Sequence, residues 1–179
     1  MSAKESYCDW LKKDLGSLID TLDLNELQKK FLRSRWLDQV LWMEGKADKD
    51  QKHYYALRLI SIIGGVITPS LVSLNLSGEN IAIALRLITF FLSLIVAISI
   101  AIEEFFHYGD RWRHYRHTVE RLKVEGWQFF QLCGPYKEFT NHADAYKTFS
   151  ARVEEVQQHE TEIFISEVVK EKNKDPGNG

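Results

Sequence analysis

Residues 59–78, LISIIGGVITPSLVSLNLSG, contain no charged side chain, and a second run is free of charge from Leu87 to Ile102. No other feature restricts the possible folds as strongly. At a rise of about 1.5 Å per residue the first run makes about 30 Å of helix, the thickness of a hydrocarbon core. The second becomes a full span if Arg86 and Glu104 sit at opposite interfaces, because the helix between them is about 27 Å long. Only Glu79 and Asn80 separate the two apolar stretches. The spans, at about 57–78 and 81–104, are therefore predicted to form an antiparallel hairpin. Two core helices of a soluble protein would need partners nearly all round, and a chain of 179 residues can hardly supply that shell.

Charge placement sets the orientation. Lys46, Lys49, Lys52 and Arg58 precede the spans, Arg111, Arg113, Arg116, Arg121 and Lys123 follow them, and the connection carries no basic residue. Both termini are expected on the cytoplasmic side. The net charge of −2 offers no global argument for nucleic acid as a partner. The two cysteines, Cys8 and Cys133, are too few for a disulfide scaffold or a zinc site and read as free thiols. The stretch MSAKESYCDWLKKDLG lacks the apolar region of a signal peptide, and Ser2 stands where N-myristoylation requires glycine.

Within the first span Gly64, Gly65 and Pro69 interrupt an otherwise regular helix. Ser61, Gly65, Pro69 and Ser73 recur every four residues, a pattern that lets another backbone approach closely. Pro69 is expected to kink the helix. Small residues of this kind are also common in membrane hairpins of any function.

The second span has two faces. Arg86, Thr89, Phe90, Ser93, Ala97, Ile100, Glu104 and His107 fall within a stripe about 100° wide, while Leu87, Ile88, Phe91, Leu94, Ile95, Ile98 and Ile102 fill the opposite side. Three readings stay open. The stripe is a helix–helix contact, since Ser93, Ala97 and Ala101 have small-xxx-small spacing. Or the charges mark the interfaces, with Arg86 snorkelling outward. Or the stripe lines a pore, with Glu103 and Glu104 drawing cations to the inner mouth and a ring of Arg86 shaping the outer one.

The flanks read as helical. No proline lies between Asn80 and Gly134, so the second span is expected to continue as one long helix. Trp112, Tyr115, Val119, Leu122, Gly126, Phe129 and Cys133 alternate steps of three and four, a coiled-coil-like seam. CGPYK ends it, and Tyr146, Phe149, Val153, Val156 and Ile163 repeat the pattern on a returning helix. Upstream, Asp23 and Glu26 resemble a capping box, followed by an apolar side at Leu24, Leu27, Phe31, Leu32, Trp36, Val40 and Met43. Tyr54, Tyr55, Tyr108 and Trp112 flank the inner interface, where amphipathic rings are favoured. The predicted division is N-terminal cytoplasmic helices over 1–56, a transmembrane hairpin over 57–104, a C-terminal cytoplasmic helical hairpin over 105–170 and a flexible tail over 171–179. The fold class is an all-α membrane protein: a two-helix transmembrane hairpin whose cytoplasmic extensions form a coiled bundle, assembled as an oligomer.

Catalytic chemistry finds little footing. Glu104 and His107 make one Glu-x-x-His, but a di-iron bundle needs a second copy and further inward carboxylates. His114, His117 and Glu120 share a helical face among arginines, which suits solvent or headgroups. There is no phosphate loop, no GxSxG and no Cys/His pair with an orienting acid. No enzyme activity, metal or cofactor is expected. DRWRHYRH, beside the inner leaflet, suits anionic lipids better than nucleic acid.

HYYALRLISIIGGVITPSLVSL, EEFFHYGDRWRHYRHTVERLKVEGWQFFQLCGPY and FSARVEEV resemble an uncharacterised bacterial family of small two-span proteins. That family is common in cyanobacteria and belongs to, or borders on, the SLATT group (SMODS- and SLOG-associated two-transmembrane effector domains). The resemblance covers roughly residues 30 to 160, and RWRHYRHTVERLKVEGWQFF is its most specific part. It implies an oligomerising hairpin in the bacterial inner membrane, pore-forming and possessed of no established catalytic motif. SLATT effectors act beside nucleotide-sensing partners, and this chain carries no fused sensor. The leading expectation is an oligomeric ion channel of about four to six copies, with the lipid bilayer, its own copies and permeant ions as partners. The alternative is a membrane-anchored scaffold or regulatory subunit whose cytoplasmic bundle binds a partner.

Overall fold

The computed structural model describes residues 7–74 and 79–174. Every element among them is helical: α1 (Tyr7–Thr21), α2 (Glu26–Phe31), a π-helical segment (Leu32–Leu37), α3 (Asp38–Ser73), α4 (Glu79–Phe106), α5 (Tyr108–Phe130), a 3₁₀ turn (Gly134–Tyr136) and α6 (His142–Lys174). The chain divides into two compact units. One takes the described residues of Met1–Gly45 and Tyr115–Gly179; the other is Lys46–His114. Of the predicted N- and C-terminal arms, residues 46–56 and 105–114 fall in the second unit, and the described remainder of both arms makes up the discontinuous one. The end of the predicted first span at 75–78, the side chain of Ile163 and the tail at 175–179 lie outside the described residues.

The discontinuous unit has an ordinary apolar core. Leu11, Leu15 and Ile19 of α1 are buried with Leu32, Trp36, Val40 and Met43, and with Val119, Leu122, Phe129, Phe149, Val153 and Val156. Each such side chain contributes about 1.5–3 kcal/mol when removed from water. The seam predicted along α5 is present from Val119 to Phe129, but Cys133 is exposed, and Leu27 is 76% exposed. Chain entry into α2 also differs from expectation. The cap is Asn25, whose side chain accepts from the Gln28 amide at 2.9 Å while Gln28 Oε1 accepts from the Asn25 amide at 3.0 Å. Asp23 lies two residues too early, and the reciprocal box takes Asn and Gln in place of Asp and Glu.

Trp36, in the π-helical segment, organises the centre. Its Nε1 donates to the Leu122 carbonyl at 2.9 Å, and its ring meets Phe130 and Phe149 edge-on at 5.6 and 6.1 Å. The indole crowds Gly126, where a Cβ would come within 2.1 Å of Cζ2. Glycine in mid-helix costs about 1 kcal/mol relative to alanine; here it makes room for the largest buried side chain.

Buried charges in this unit are paired. Glu125 accepts from Arg152 through both oxygens, at 2.6 and 2.9 Å, and from the Tyr136 hydroxyl. Burial first, then the bond to Glu125, pushes the Tyr136 phenol well above its ordinary value. Glu44, 1% exposed, is held by Arg116 at 2.5 Å and Lys123 at 2.8 Å. Burial alone would lower the Lys123 pKa, but its bonds to Glu44 and Glu120 outweigh this and raise it. At the surface Arg35 binds Glu154 bidentately at 2.7 and 2.8 Å, which holds the Glu154 carboxyl below its usual range.

Two helices are long and apolar enough to cross a membrane: the continuous Glu26–Ser73 helix and Asn80–Phe106. Of the apolar window only 6% of residues are buried in the first and none in the second. Core helices of soluble proteins show the reverse. The expected single helix from α4 through α5 is broken at His107, which adopts φ 49°. Histidine is among the residues that tolerate the left-handed region. The break is covered by bonds from Asp110 N and Arg111 N to the His107 carbonyl, both 3.1 Å.

Candidate functional site

Within Lys46–His114, α3 and α4 each devote one face to the other. On α3 the covered positions are Tyr54, Leu57, Ser61, Gly64, Thr68 and Leu71; on α4 they are Leu85, Thr89, Leu92, Val96, Ser99 and Glu103. Both series alternate steps of three and four, the spacing that keeps a seam aligned between two helices. Gly64 sets the closest approach, since a Cβ there would fall 2.2 Å from Val96 Cγ2. Gly65 has nothing within 4 Å, and Gly65, Pro69 and Ser73 are exposed. Of the predicted four-residue series only Ser61 joins the seam. Helix α3 runs through Pro69 to Ser73.

The stripe predicted on α4 lies on a neighbouring face, about a quarter turn from the seam at 3.6 residues per turn. Arg86, Phe90, Ser93, Ala97, Ile100, Glu104 and His107 are exposed, and Thr89 is shared between the two faces. Apart from Thr89, the α4 residues that meet α3 thus belong neither to the stripe nor to the opposite apolar side, but are Leu92, Val96, Ser99 and Glu103 between them. The small residues Ser93, Ala97 and Ala101 stay uncovered within the chain. The alternation Leu85–Thr89–Leu92–Val96–Ser99–Glu103 mixes apolar and polar side chains, so periodicity of polarity alone does not mark it.

Hydroxyls along both apolar segments bond to their own helix. Thr89 Oγ1 donates to Leu85 O at 2.8 Å and Ser93 Oγ to Thr89 O at 2.7 Å. Ser61 and Ser70 do the same on α3, at 2.9 and 3.0 Å. Such back-bonding satisfies a hydroxyl where water is scarce. Thr68 Oγ1, buried in the seam, has no partner among the described residues.

At the far end of the seam the two glutamates part company. Glu104 stays on the exposed stripe, whereas Glu103 is half-buried beside Leu57, Arg58, Ser61, Ile62 and Ile100 around a cavity of about 230 Å³. The aromatics predicted for the interface come together here. Tyr54 and Tyr55 pack at 5.4 Å, Tyr55 and Trp112 at 6.3 Å, and Tyr108 stacks between His53 at 5.2 Å and Phe106 at 5.3 Å. Gly109 admits the Tyr54 ring, since a Cβ would lie 2.8 Å from it. Just beyond, Asp50 is 4% exposed, with Arg111 Nε at 3.3 Å from its Oδ2. Arg113 is held by Asp110 at 2.7 Å; that bond raises its pKa, and the charge of Glu103 adds to the effect. Asp50 and Gly109 carried no visible mark in the sequence.

Among the described residues no group of three or more His, Cys, Asp or Glu side chains could hold a metal ion. Cys133 is a free, exposed thiol. Residues 38–144 match a family model described as "Protein of unknown function (DUF4231)". No curated protein and no solved structure matches the chain.

Proposed function

We propose, for a chain that belongs to the DUF4231 family of proteins of unknown function, that it is a two-span membrane protein whose copies surround an ion path lined by α4. The one observation that carries this reading is the division of labour on α4. Its seam face is used by α3, yet the adjacent face, from Arg86 through Ser93 and Ala97 to Glu104, remains exposed along the whole apolar length. A charged, partly polar stripe facing lipid is costly; around a symmetry axis it meets water and other copies. The contact order, Tyr54 with Gly109 and Gly64 with Val96, supports an antiparallel hairpin. The flanking lysines and arginines support a reading in which both termini face the cytoplasm, the hairpin crossing a bacterial inner membrane. A ring of about four to six copies and kinship with the SLATT effectors belong to this proposal.

Reconstitution into liposomes tests it. Purified oligomer is expected to pass monovalent cations, and Glu104→Gln to reduce cation over anion selectivity. Absence of flux from assembled oligomer across several ions and pH values refutes the channel. A scaffold is the second reading, favoured by the exposed Trp10 and Trp127 of the discontinuous unit, 50% and 45% exposed, since uncovered tryptophans are frequent anchors for partners.

A further inference from the structure

The cavity beside Glu103 brings opposite charges to one apolar groove. Its walls are Leu57, Ile62 and Ile100, and its polar lining is Arg58, Ser61 and Glu103. The Ser61 hydroxyl is engaged with the Leu57 carbonyl at 2.9 Å. Among the described residues neither Arg58 nor Glu103 makes an ion-pair contact, and the charge of Glu103 is felt by Arg113, which does not line the groove. The nearby aromatics Tyr54, Tyr55, Tyr108 and Trp112 are the residue types that sit at headgroup level. The groove is thus an apolar slot ending in one cation and one anion.

We propose that this groove binds the headgroup of a zwitterionic phospholipid with a primary ammonium, the phosphate on Arg58 and the ammonium on Glu103. The inference rests on the membrane reading above. A guanidinium matches phosphate oxygens in a bidentate fork. A primary ammonium offers three donors to a carboxylate, whereas a choline group offers none. A glycerol headgroup has no cation to set against Glu103, and its net negative charge meets that carboxylate unfavourably. Leu57, Ile62 and Ile100 receive the first methylenes of an acyl chain.

The full chain is reconstituted in vesicles of phosphatidylethanolamine, phosphatidylcholine and phosphatidylglycerol with matched acyl chains, in equal amounts. Lipids that stay bound after extraction are counted by native mass spectrometry. Phosphatidylethanolamine is expected to be retained about tenfold over phosphatidylcholine, the weight of one charge-assisted hydrogen bond. Glu103→Gln brings the two to parity, and Arg58→Gln lowers retention of all three. Equal retention of the three headgroups by the unaltered chain overturns the proposal without any variant. Flotation of the same vesicles separates the premises: a chain that floats but shows no preference removes only the lipid site. A chain that fails to float removes the membrane reading and this inference together.

Discussion

Replacing Gly126 by alanine tests whether Trp36 is locked in place. Helix propensity alone favours the substitution by about 1 kcal/mol. Against it stands the new methyl, which would sit 2.1 Å from Trp36 Cζ2 and under 3 Å from Cη2 and Cε2 as well. The ring cannot tilt freely, because Phe130 and Phe149 stand edge-on to it and its Nε1 is bonded to Leu122 O. Overpacking a dense core costs about 1–3 kcal/mol, and stranding the indole N–H about 1–3 more. The expected net change is a loss of about 1–5 kcal/mol. For a unit of this size that lowers Tm by about 4–8 °C per kcal/mol, read by far-UV circular dichroism of the detergent-solubilised chain. Trp36→Phe shortens the ring away from the new methyl, so the double variant is expected to lose less than the two single losses combined, by at least about 1 kcal/mol. A Gly126→Ala protein that melts at or above the original temperature refutes the reasoning.

The other expectations concern the span seam and the ends of the pH range. Gly64→Ala should loosen the α3–α4 pair while Gly65→Ala leaves it intact, since the first Cβ meets Val96 and the second meets nothing; disulfide trapping between cysteines placed at Leu57 and Glu103, which line one cavity, reads the difference, and equal trapping in both variants counts against the seam. The Glu154 carboxyl is depressed by Arg35, so its contribution is present above its unfolded pKa and disappears as pH falls through the lower folded value. Glu154→Gln should therefore flatten the loss of stability below about pH 4, and an unchanged acid limb contradicts the pairing. Tyr136 runs the other way. Its phenol is raised, so its contribution is complete below the ordinary tyrosine value and lost as pH climbs above about 10; Tyr136→Phe should blunt alkaline unfolding, followed by circular dichroism.

The two apolar segments are readable in the sequence because a charge-free run of that length has few physical outlets. The α5 seam is readable for a similar reason, since Val119, Leu122 and Phe129 repeat at helical spacing. The break at His107 is not. No proline marks it, and the left-handed residue is not itself a glycine. Gly109 serves a different end, admitting the ring of Tyr54 from a helix more than fifty positions earlier. The same holds for Gly126, which reads as a weak helix residue until Trp36 is placed upon it. The faces of α4 show a subtler limit. Periodicity sorts polar from apolar side chains, but Leu92, Val96 and Ser99 are too mixed in polarity to advertise a contact. What selects them is the shape of α3 at Gly64.

A hydroxyl that gives its hydrogen to its own helix has only lone pairs left to offer a neighbour. Thr89 and Ser93 are in that condition, and Glu104, when ionised, accepts and never donates. Along the exposed face of α4 the ready donors stand at its two ends, the Arg86 guanidinium at one and the His107 ring just past Glu104 at the other. In the proposed channel, a path walled by copies of this face would replace part of a cation's water shell with oxygen, while between its two ends an anion would find almost nothing to solvate it. Charge preference would then be written into the backbone bonds of two small residues as much as into the glutamate at the mouth.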